Sequence, residues 1–270
     1  GRPMVQHVVD AAGALEPANT VVVYGHGGEA VQQAVSAPRL RWAEQAEQLG
    51  TGHAVAQALP HLEEDTVLVL YGDVPLIQPQ TLSDFVARVD DQSLALMTLT
   101  LDDPSGYGRV IRGSDGKVQR VVEQKDASDE EKAVREINTG ILACTRRFLN
   151  DSLPQLSNRN AQGEYYLTDL IAMAVDAGME VVTEQPGQAW EVDGVNDRVQ
   201  LARLERVYQR VSAEALMRDG VTLLDPARLD VRGRLRCGQD VTLDINTVLV
   251  GEVEIGDRVT VGPNCLIRNA

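Results

Sequence analysis

A strict six-residue period in residues 229–270 is the feature of this sequence that most constrains its fold. Apolar residues occupy the third position of successive hexads, namely Val231, Cys237, Leu243, Leu249, Ile255, Val261 and Ile267. The first positions are Leu229, Leu235, Val241, Thr247, Val253, Val259 and Cys265. This period is typical of a hexapeptide parallel β-helix, in which three hexads form one coil. Short antiparallel strands are the alternative, but they would not need so regular a register.

The hexads amount to little more than two coils, and solenoid repeats generally need about three or more units to be stable. We therefore expect the β-helix to be interrupted at Ala270, with most of its coils lying beyond this sequence.

Upstream of residue 229, short apolar runs alternate with helical stretches. The pattern predicts strands at 21–24, 67–71, 94–101, 118–123, 141–143 and 181–183, and helices at 29–35, 52–59, 168–177 and 197–216. Alternating strands and helices predict a Rossmann-like α/β domain with a mostly parallel mixed sheet. We predict three segments, namely a nucleotide-binding domain at 1–196, a connector at 197–228 and the β-helix at 229–270.

Composition excludes several classes of partner. The net charge of −15 argues against binding to nucleic acid or to an anionic membrane. No apolar run approaches the roughly 20 residues of a membrane span. The three cysteines fit neither a disulfide framework nor a zinc site, and a reduced, cytoplasmic location is the default. His7, His26, His53 and His61 lack metal-ligand spacing and are predicted to be ordinary histidines.

One predicted strand runs directly into Tyr71-Gly72-Asp73, and Pro75 follows. The uninterrupted apolar run 67–70 predicts a strand buried on both faces. Gly72 would allow a ligand close to the backbone, and Asp73 would place a carboxylate at the strand end, where α/β proteins bind ligands. Such a carboxylate suits Mg²⁺ with phosphates. The alternative is that Asp73 only caps a turn before Pro75.

Further polar segments end predicted strands or begin predicted helices. Gln45 could pair with a pyrimidine edge, and Gly50-Thr51-Gly52 could present backbone N–H groups at a helix start, although a plain helix start explains it equally. Gly108 could approach a sugar, while Arg109 could face phosphate or simply be a surface charge.

Two of the remaining polar residues suit a sugar, and one suits a cation. Glu123 and Asn138 suit the hydroxyls and N-acetyl group of a sugar. Asn196 could be a helix N-cap or an oxygen ligand for a cation.

Together these segments closely resemble the bacterial bifunctional N-acetylglucosamine-1-phosphate uridyltransferase/glucosamine-1-phosphate acetyltransferase family. The resemblance rests on the segments 46–53 (Ala-Glu-Gln-Leu-Gly-Thr-Gly-His), 71–76 (Tyr-Gly-Asp-Val-Pro-Leu), 103–109 (Asp-Pro-Ser-Gly-Tyr-Gly-Arg), 136–140 (Glu-Ile-Asn-Thr-Gly), 160–169 (Asn-Ala-Gln-Gly-Glu-Tyr-Tyr-Leu-Thr-Asp) and 194–198 (Gly-Val-Asn-Asp-Arg). It spans almost the whole chain and extends into the repeats, which in this family form a left-handed β-helix.

The resemblance implies a role for each matching position. Uridine would contact Gln45, Gly50 and Thr51, and the nucleotide with its phosphates would lie along Tyr71, Gly72 and Asp73. N-acetylglucosamine would contact Gly108, Glu123 and Asn138, while Asp73 and Asn196, the implied catalytic pair, would coordinate Mg²⁺. The implied reaction converts UTP and N-acetylglucosamine 1-phosphate into UDP-N-acetylglucosamine and pyrophosphate, for cell-wall precursors.

The sequence also departs from the family pattern. The family's first strand and glycine-rich phosphate loop (Leu-Ala-Ala-Gly-x-Gly-Thr-Arg-Met) do not occur, since Gly1-Arg2-Pro3-Met4 matches the segment after that loop. We therefore expect this chain, as written, to have little uridyltransferase activity. The acetyltransferase site and the homotrimer contacts expected of the parent protein would lie in later coils.

Two other functions remain open. A related sugar-1-phosphate nucleotidyltransferase with a different nucleotide or sugar would share the strand ending in Gly-Asp. A non-catalytic module that binds a UDP-sugar is the alternative from another class.

Overall fold

The computed structural model describes residues 2–25 and 27–270, so predictions that concern Gly1 and His26 lie outside the described part. Two compact units are present: the first comprises Pro3–Val192 and the second mainly Asp193–Ala270. No helix in the described ranges combines the length and apolar character needed to span a bilayer. The functional domain bounds predicted from the sequence stay a prediction.

The first unit alternates helices and strands. In chain order its elements are α1 (Met4–Gly13), β1 (Thr20–Tyr24), α2 (Gly28–Ala34), β2 (Leu40–Glu44), α3 (Thr51–Ala58), β3 (Thr66–Val69), α4 (Pro79–Val86), β4 (Ser93–Thr100), β5 (Gly108–Arg112), β6 (Val118–Val122), α5 (Asp129–Lys132), β7 (Glu136–Thr145), α6 (Arg146–Ser152), α7 (Asp169–Asp176) and β8 (Glu180–Glu184).

The larger sheet of the first unit is mixed. Its order is β6-β5-β7-β4-β8, and β3 also pairs with β7. Strands β3, β4, β5 and β8 run in one direction, since the first three are antiparallel to β7 and β8 is parallel to β4. Because β7 lies between them, most neighbouring pairs are antiparallel even though most strands share a direction. Strands β1 and β2 form a separate parallel pair.

Strand β4 contributes buried side chains to the cores on both faces of the sheet. Leu94 and Leu96 belong to one core cluster, while Ala95, Met97 and Leu99 belong to the cluster on the opposite face. Side chains alternate between faces along a strand, so a run that is apolar at every position can fill both cores.

The sequence prediction for 67–71 was wrong in two respects. Strand β3 ends at Val69, and its residues are mostly only half-buried, because β3 pairs with β7 on one side alone. Its other side faces a cavity of about 690 Å³ that β1 also lines. Val67 and Val69 nonetheless pack on one core cluster and Leu68 and Leu70 on the other, so the run reaches both faces of the sheet and also borders the cavity.

The second unit begins with a long helix and continues as parallel strands. Its elements are α8 (Arg198–Arg218), β9 (Thr222–Leu223), β10 (Leu229–Cys237), β11 (Thr242–Leu243), β12 (Thr247–Ile255), β13 (Thr260–Val261) and β14 (Leu266–Arg268). Leu229 pairs with Thr247, and Val248 pairs with Leu266, so paired residues are 18 apart, or three hexads. The predicted parallel β-helix is confirmed.

Third-position side chains line the interior of this solenoid. Leu243, Leu249, Ile255 and Val261 are buried in one core cluster. Among the first positions, Val259 departs from the pattern, with 39% of its surface exposed. At the corners, Asn246 and Asn264 both adopt φ near +60°, and the Asn246 Nδ2 donates to Asn264 Oδ1 at 2.9 Å.

Candidate functional site

Gln45 lies at the end of β2 and is held against the start of α3. Its backbone N–H donates to the Tyr24 carbonyl at 2.8 Å, which continues the β1–β2 ladder. Its side-chain Nε2 donates to the Gly50 carbonyl at 3.0 Å. Gln45 is nearly buried, and it lines the cavity between β1 and β3.

Gly50 has a backbone conformation that only glycine adopts readily, with φ 108° and ψ 175°. A Cβ atom here would lie 2.7 Å from the Tyr165 carbonyl oxygen. The chain is held on both sides, because Tyr165 N–H donates to Leu49 O and Gly52 N–H donates to Tyr165 O, each at 2.8 Å. The loop before α3 is therefore fixed by the segment around Tyr165.

Thr51 begins α3, and its hydroxyl oxygen accepts a hydrogen bond from the Leu167 N–H at 3.0 Å. The side chains of Gln45, Thr51 and Tyr71, together with Gly72, all line the same cavity. The structure thus brings together the predicted uridine contacts and the first residues of the predicted phosphate segment.

Tyr71 connects this group to the predicted sugar-binding residues. Its ring lies against Gly140, where a Cβ atom would be only 2.6 Å from Tyr71 Cε2, and Gly140 has φ +91°. Burial raises the pKa of Tyr71 to about 12, and the negative charge of Glu123 adds to this rise. The phenol is therefore a neutral hydroxyl at physiological pH.

Two of the predicted sugar contacts, Gly108 and Asn138, lie on the neighbouring strands β5 and β7, and Glu123 directly follows β6. Gly108 is paired with Asn138 across β5 and β7, and a Cβ atom on Gly108 would lie 3.4 Å from Glu123 Oε2. Asn138 Oδ1 accepts a hydrogen bond from the Gly140 N–H at 3.0 Å. Backbone and side-chain polar groups thus face a surface that glycine keeps open.

Among the predicted sugar contacts, Glu123 is the residue whose pKa is shifted. Burial raises its pKa, Thr168 opposes this by donating a hydrogen bond at 2.9 Å, and the negative charges of Asp126, Asp169 and Glu164 raise it further. Burial likewise raises the pKa of Asp169. An uncharged sugar suits such an acidic wall better than a phosphate does.

Asp73 lies in the turn that the Val74 N–H closes by donating to Tyr71 O at 3.2 Å. Among residues 2–25 and 27–270, no partner forms a hydrogen bond or ion pair with its carboxylate, so the side chain does not cap the turn. It therefore remains available to an external cation.

Asn196 belongs to the second unit, where its backbone N–H donates to Gln200 Oε1 at 2.6 Å. The N-cap of α8 is instead Asp197, whose carboxylate accepts from Val199 N–H and Gln200 N–H at 2.8 Å each. The alternative reading of Asn196 as N-cap was wrong by one residue.

Arg109 is neither a surface charge nor a residue open to a phosphate, which were the two possibilities from the sequence, because only 1% of its surface is exposed. Its guanidinium donates to the Tyr107 carbonyl and, at 2.7 Å, to Gln124 Oε1. It therefore braces the loop before β5 against the residue that follows Glu123.

Sequence reasoning missed the residues that hold the site in place. Thr168 fixes Glu123, and the backbone of Tyr165 fixes the loop at Gly50. Both lie more than 40 positions from their partners, so no local spacing could reveal them. The resemblance did include their segment, but without a role.

The chain matches two family models. The MobA-like NTP transferase domain matches residues 1–162, and the bacterial transferase hexapeptide (six repeats) matches residues 236–269. The first match covers more than half of the chain.

Similar curated proteins are longer than this chain. The protein named bifunctional protein GlmU of Alcanivorax borkumensis is 71% identical over 90% of this chain, but the match covers 54% of that protein. The protein of the same name from Paraburkholderia xenovorans is 56% identical over 100% of this chain and 60% of its own length. The chain thus spans between half and two thirds of these relatives.

Solved structures agree on the fold. A UDP-glucose pyrophosphorylase complexed with UDP-glucose has a TM-score of 0.62 at 13% identity, over 76% of this chain and 86% of that one. A nucleotidyl transferase from Methanothermobacter has a TM-score of 0.55 at 17% identity, over 78% and 82%. The two family matches establish that the chain belongs to the family of the MobA-like NTP transferase domain and carries bacterial transferase hexapeptide repeats after it.

Proposed function

We propose that this chain is the uridyltransferase part of an enzyme that makes UDP-N-acetylglucosamine and pyrophosphate from UTP and N-acetylglucosamine 1-phosphate. One observation carries the proposal. Tyr71 lines the same cavity as Gln45 and Thr51, and its ring also packs on Gly140 beside Asn138. A nucleotide site and a sugar site joined in this way suit one elongated nucleotide-sugar.

Each group has a distinct task in this proposal. The Gln45 amide and the backbone near Gly50 bind the uracil, while Thr51 and Tyr71 offer hydroxyls to the ribose and phosphates. Asn138 and Glu123 bind the hydroxyls and N-acetyl group of the sugar, and Gly108 keeps that surface open. Catalysis then consists largely of positioning two anionic reactants next to one another.

Mg²⁺ suits the carboxylate of Asp73, which has no protein partner in the described part of the chain and offers a hard oxygen ligand. No group of three or more His, Cys, Asp or Glu side chains suited to a metal is found in that part, so substrate oxygens and water would complete the coordination. The ion would screen the repulsion between the two substrates and stabilise the charge on pyrophosphate.

In the chemical step, a phosphate oxygen of the sugar phosphate forms a bond to the α-phosphorus of UTP. The bond from that phosphorus to the bridging oxygen of pyrophosphate breaks, and pyrophosphate leaves with the electron pair. No protein side chain becomes covalently modified. Tyr71 stays neutral at physiological pH, because its pKa is raised to about 12, and it can therefore donate a hydrogen bond throughout the reaction.

We also propose that the parent protein is cytoplasmic, binds neither nucleic acid nor membrane, and forms a homotrimer through its β-helix. The domain bounds 1–196, 197–228 and 229–270 belong to the same proposal. Light scattering after size-exclusion chromatography of a chain that includes further coils would test the trimer, and a monomer would contradict it.

Calorimetric titration of the 270-residue chain with UDP, UDP-N-acetylglucosamine and UDP-glucose tests the binding part. We expect Glu123→Gln to weaken UDP-N-acetylglucosamine about tenfold and UDP hardly at all, because a hydrogen bond to a charged group contributes about 1.5–3 kcal/mol. The exposed Glu130→Gln in α5 is the matched control and should change neither affinity.

Pyrophosphate release tests the reaction, both in this chain and in the same chain preceded by the family's glycine-rich loop. We expect turnover in the extended chain with UTP and N-acetylglucosamine 1-phosphate only. Preference for dTTP or glucose 1-phosphate would favour a relative of different specificity. Binding of UDP-N-acetylglucosamine without turnover in the extended chain would favour a non-catalytic module.

A further inference from the structure

The side-chain amide of Gln45 has only one chemically allowed orientation. Its Nε2 lies 3.0 Å from the Gly50 carbonyl oxygen and 3.1 Å from Nδ1 of His53. Because a carbonyl oxygen can only accept, the amide nitrogen and not the oxygen must face Gly50. The second hydrogen of that nitrogen then points to His53.

This orientation fixes the tautomer of His53. Nδ1 must accept from Gln45, so in the neutral ring Nε2 carries the proton. His53 Nε2 lies 3.2 Å from the amide of Gln57, one turn further along α3. The atom of Gln57 that lies there is Nε2, which also donates to the His53 carbonyl at 3.4 Å. A proton on His53 Nε2 therefore requires the Gln57 amide to turn over, so that its oxygen faces the ring N–H and the bond to the carbonyl is lost.

These two hydrogen bonds leave one polar atom of the Gln45 side chain without a protein partner. Nε2 is fully engaged, whereas no described residue donates to Oε1, although Gln45 is only 9% exposed. The residue lines the cavity that Thr51 and Tyr71 also line. Because this oxygen is not among the buried unpartnered atoms and its residue lines the cavity, a ligand in the cavity can donate a hydrogen bond to it.

We propose that His53 is a specificity-determining residue, which acts by holding Gln45 so that it offers only a hydrogen-bond acceptor to the nucleobase. This inference rests on the proposed function, in which Gln45 contacts the base. Uracil and thymine carry an N–H at ring position 3, whereas cytosine has a lone pair there. At the same place, cytosine would direct the lone pair of its ring nitrogen at Gln45 Oε1, so that two hydrogen-bond acceptors would face each other. Rotation of the amide to present a donor to cytosine would break the hydrogen bonds of Gln45 to Gly50 and His53.

Two substitutions of His53 separate this role from simple packing. His53→Phe keeps a flat ring beside Tyr165, whose ring centroid lies 6.5 Å away, but it has no acceptor. His53→Asn can place Oδ1 near the former Nδ1 position, where it should again accept the hydrogen bond from Gln45 Nε2. His61→Phe is the control, since the hydrogen bonds of His61 use its backbone carbonyl.

The readout is the ratio of affinities for UDP and CDP, measured by calorimetry on the 270-residue chain. We expect the wild type and His61→Phe to prefer UDP by about tenfold or more, because an unpaired buried polar group costs about 1–3 kcal/mol. His53→Phe should lower the preference at least about tenfold, and His53→Asn should retain most of it.

A second measurement does not depend on ligand or variants. The ¹⁵N resonances of the His53 ring in the free chain should report a protonated Nε2 and an unprotonated Nδ1. A protonated Nδ1 in the neutral ring would overturn the inference, as would an unchanged UDP/CDP ratio in a folded His53→Phe chain. If the wild-type chain binds UDP-N-acetylglucosamine, either of these results overturns the inference about His53 but leaves the proposed function standing. A wild-type chain that binds neither UDP nor UDP-N-acetylglucosamine would overturn the inference and the proposed function together.

Discussion

Substitution of Gly50 by alanine should be one of the most damaging single-methyl changes in the first unit. Gly50 has φ 108° and ψ 175°, a region that costs other residues about 1–3 kcal/mol. The new Cβ would also lie 2.7 Å from the carbonyl oxygen and 2.9 Å from the nitrogen of Tyr165, both of which are backbone atoms. Movement of the loop to relieve this contact would weaken the Gln45–Gly50 hydrogen bond, worth about 1 kcal/mol.

Together these effects predict a loss of about 2–4 kcal/mol in the free energy of unfolding. For a unit of this size, each kcal/mol corresponds to about 2–4 °C in Tm, so we expect Tm to fall by about 5–15 °C. Differential scanning calorimetry measures this directly, and titration with UDP should show weakened binding in the same variant.

Two further glycines provide matched controls. Gly178 has φ +76° but nothing within 4 Å of its added Cβ, so Gly178→Ala isolates the backbone cost, at about 1 kcal/mol. Gly13 has neither a positive φ nor a neighbour within 4 Å, so Gly13→Ala should be nearly neutral. If Gly50→Ala melts within about 1 °C of Gly178→Ala, the contact with Tyr165 contributes nothing and the reasoning is refuted.

Three other predictions follow from the site and the solenoid. In the chain extended by the family's glycine-rich loop, Asp73→Asn should lower pyrophosphate release at least about 100-fold, and near-normal rates at saturating Mg²⁺ would contradict the metal role. Burial raises the pKa of Glu123 in the folded state. The wild type should therefore lose stability relative to Glu123→Gln as the pH rises from the unfolded-state pKa through the folded-state pKa. Chemical denaturation between pH 4 and 8 measures the difference in unfolding free energy between the two chains, and a difference that does not change with pH would be evidence against this prediction. Gly233→Ala should destabilise the β-helix far more than Gly256→Ala, because a Cβ on Gly233 would lie 2.1 Å from Gly251 O whereas Gly256 has nothing within 4 Å; equal melting temperatures would refute this.

The repeats were the most predictable part of the fold, because one pattern recurs and each hexad supports the others. The helix α8 was nearly as clear, since its apolar periodicity spans many turns and ends close to Arg218. Strand β7 shows the limit. Only Ile141–Ala143 was predicted as a strand, yet β7 covers Glu136–Thr145, because Gly140 with φ +91° remains within the strand rather than ending it.

Site residues were predictable as residue types but not as an arrangement. The apolar run at 67–70 revealed a strand just before Asp73, although that strand ends at Val69 and its pairing depends on β7, more than 60 positions away. Similarly, Gln45 carries no local sign that its amide is shared by Gly50 and His53. Contacts between distant segments decide such details, and no short window contains them.

Because paired strands of the β-helix are 18 residues apart, the solenoid can lengthen or shorten only in steps of one coil if its register is to be kept. Each complete coil advances the structure by one strand spacing, about 4.8 Å, and returns every side chain to the same wall. Insertion of one hexad would instead shift all later residues to the next wall, so that asparagine corners such as Asn246 and Asn264 no longer stack on each other. Natural or designed variants should therefore tolerate added or deleted segments of 18 residues far better than segments of 6 or 12. The distance between features along the solenoid then changes in whole steps while their facing direction is preserved.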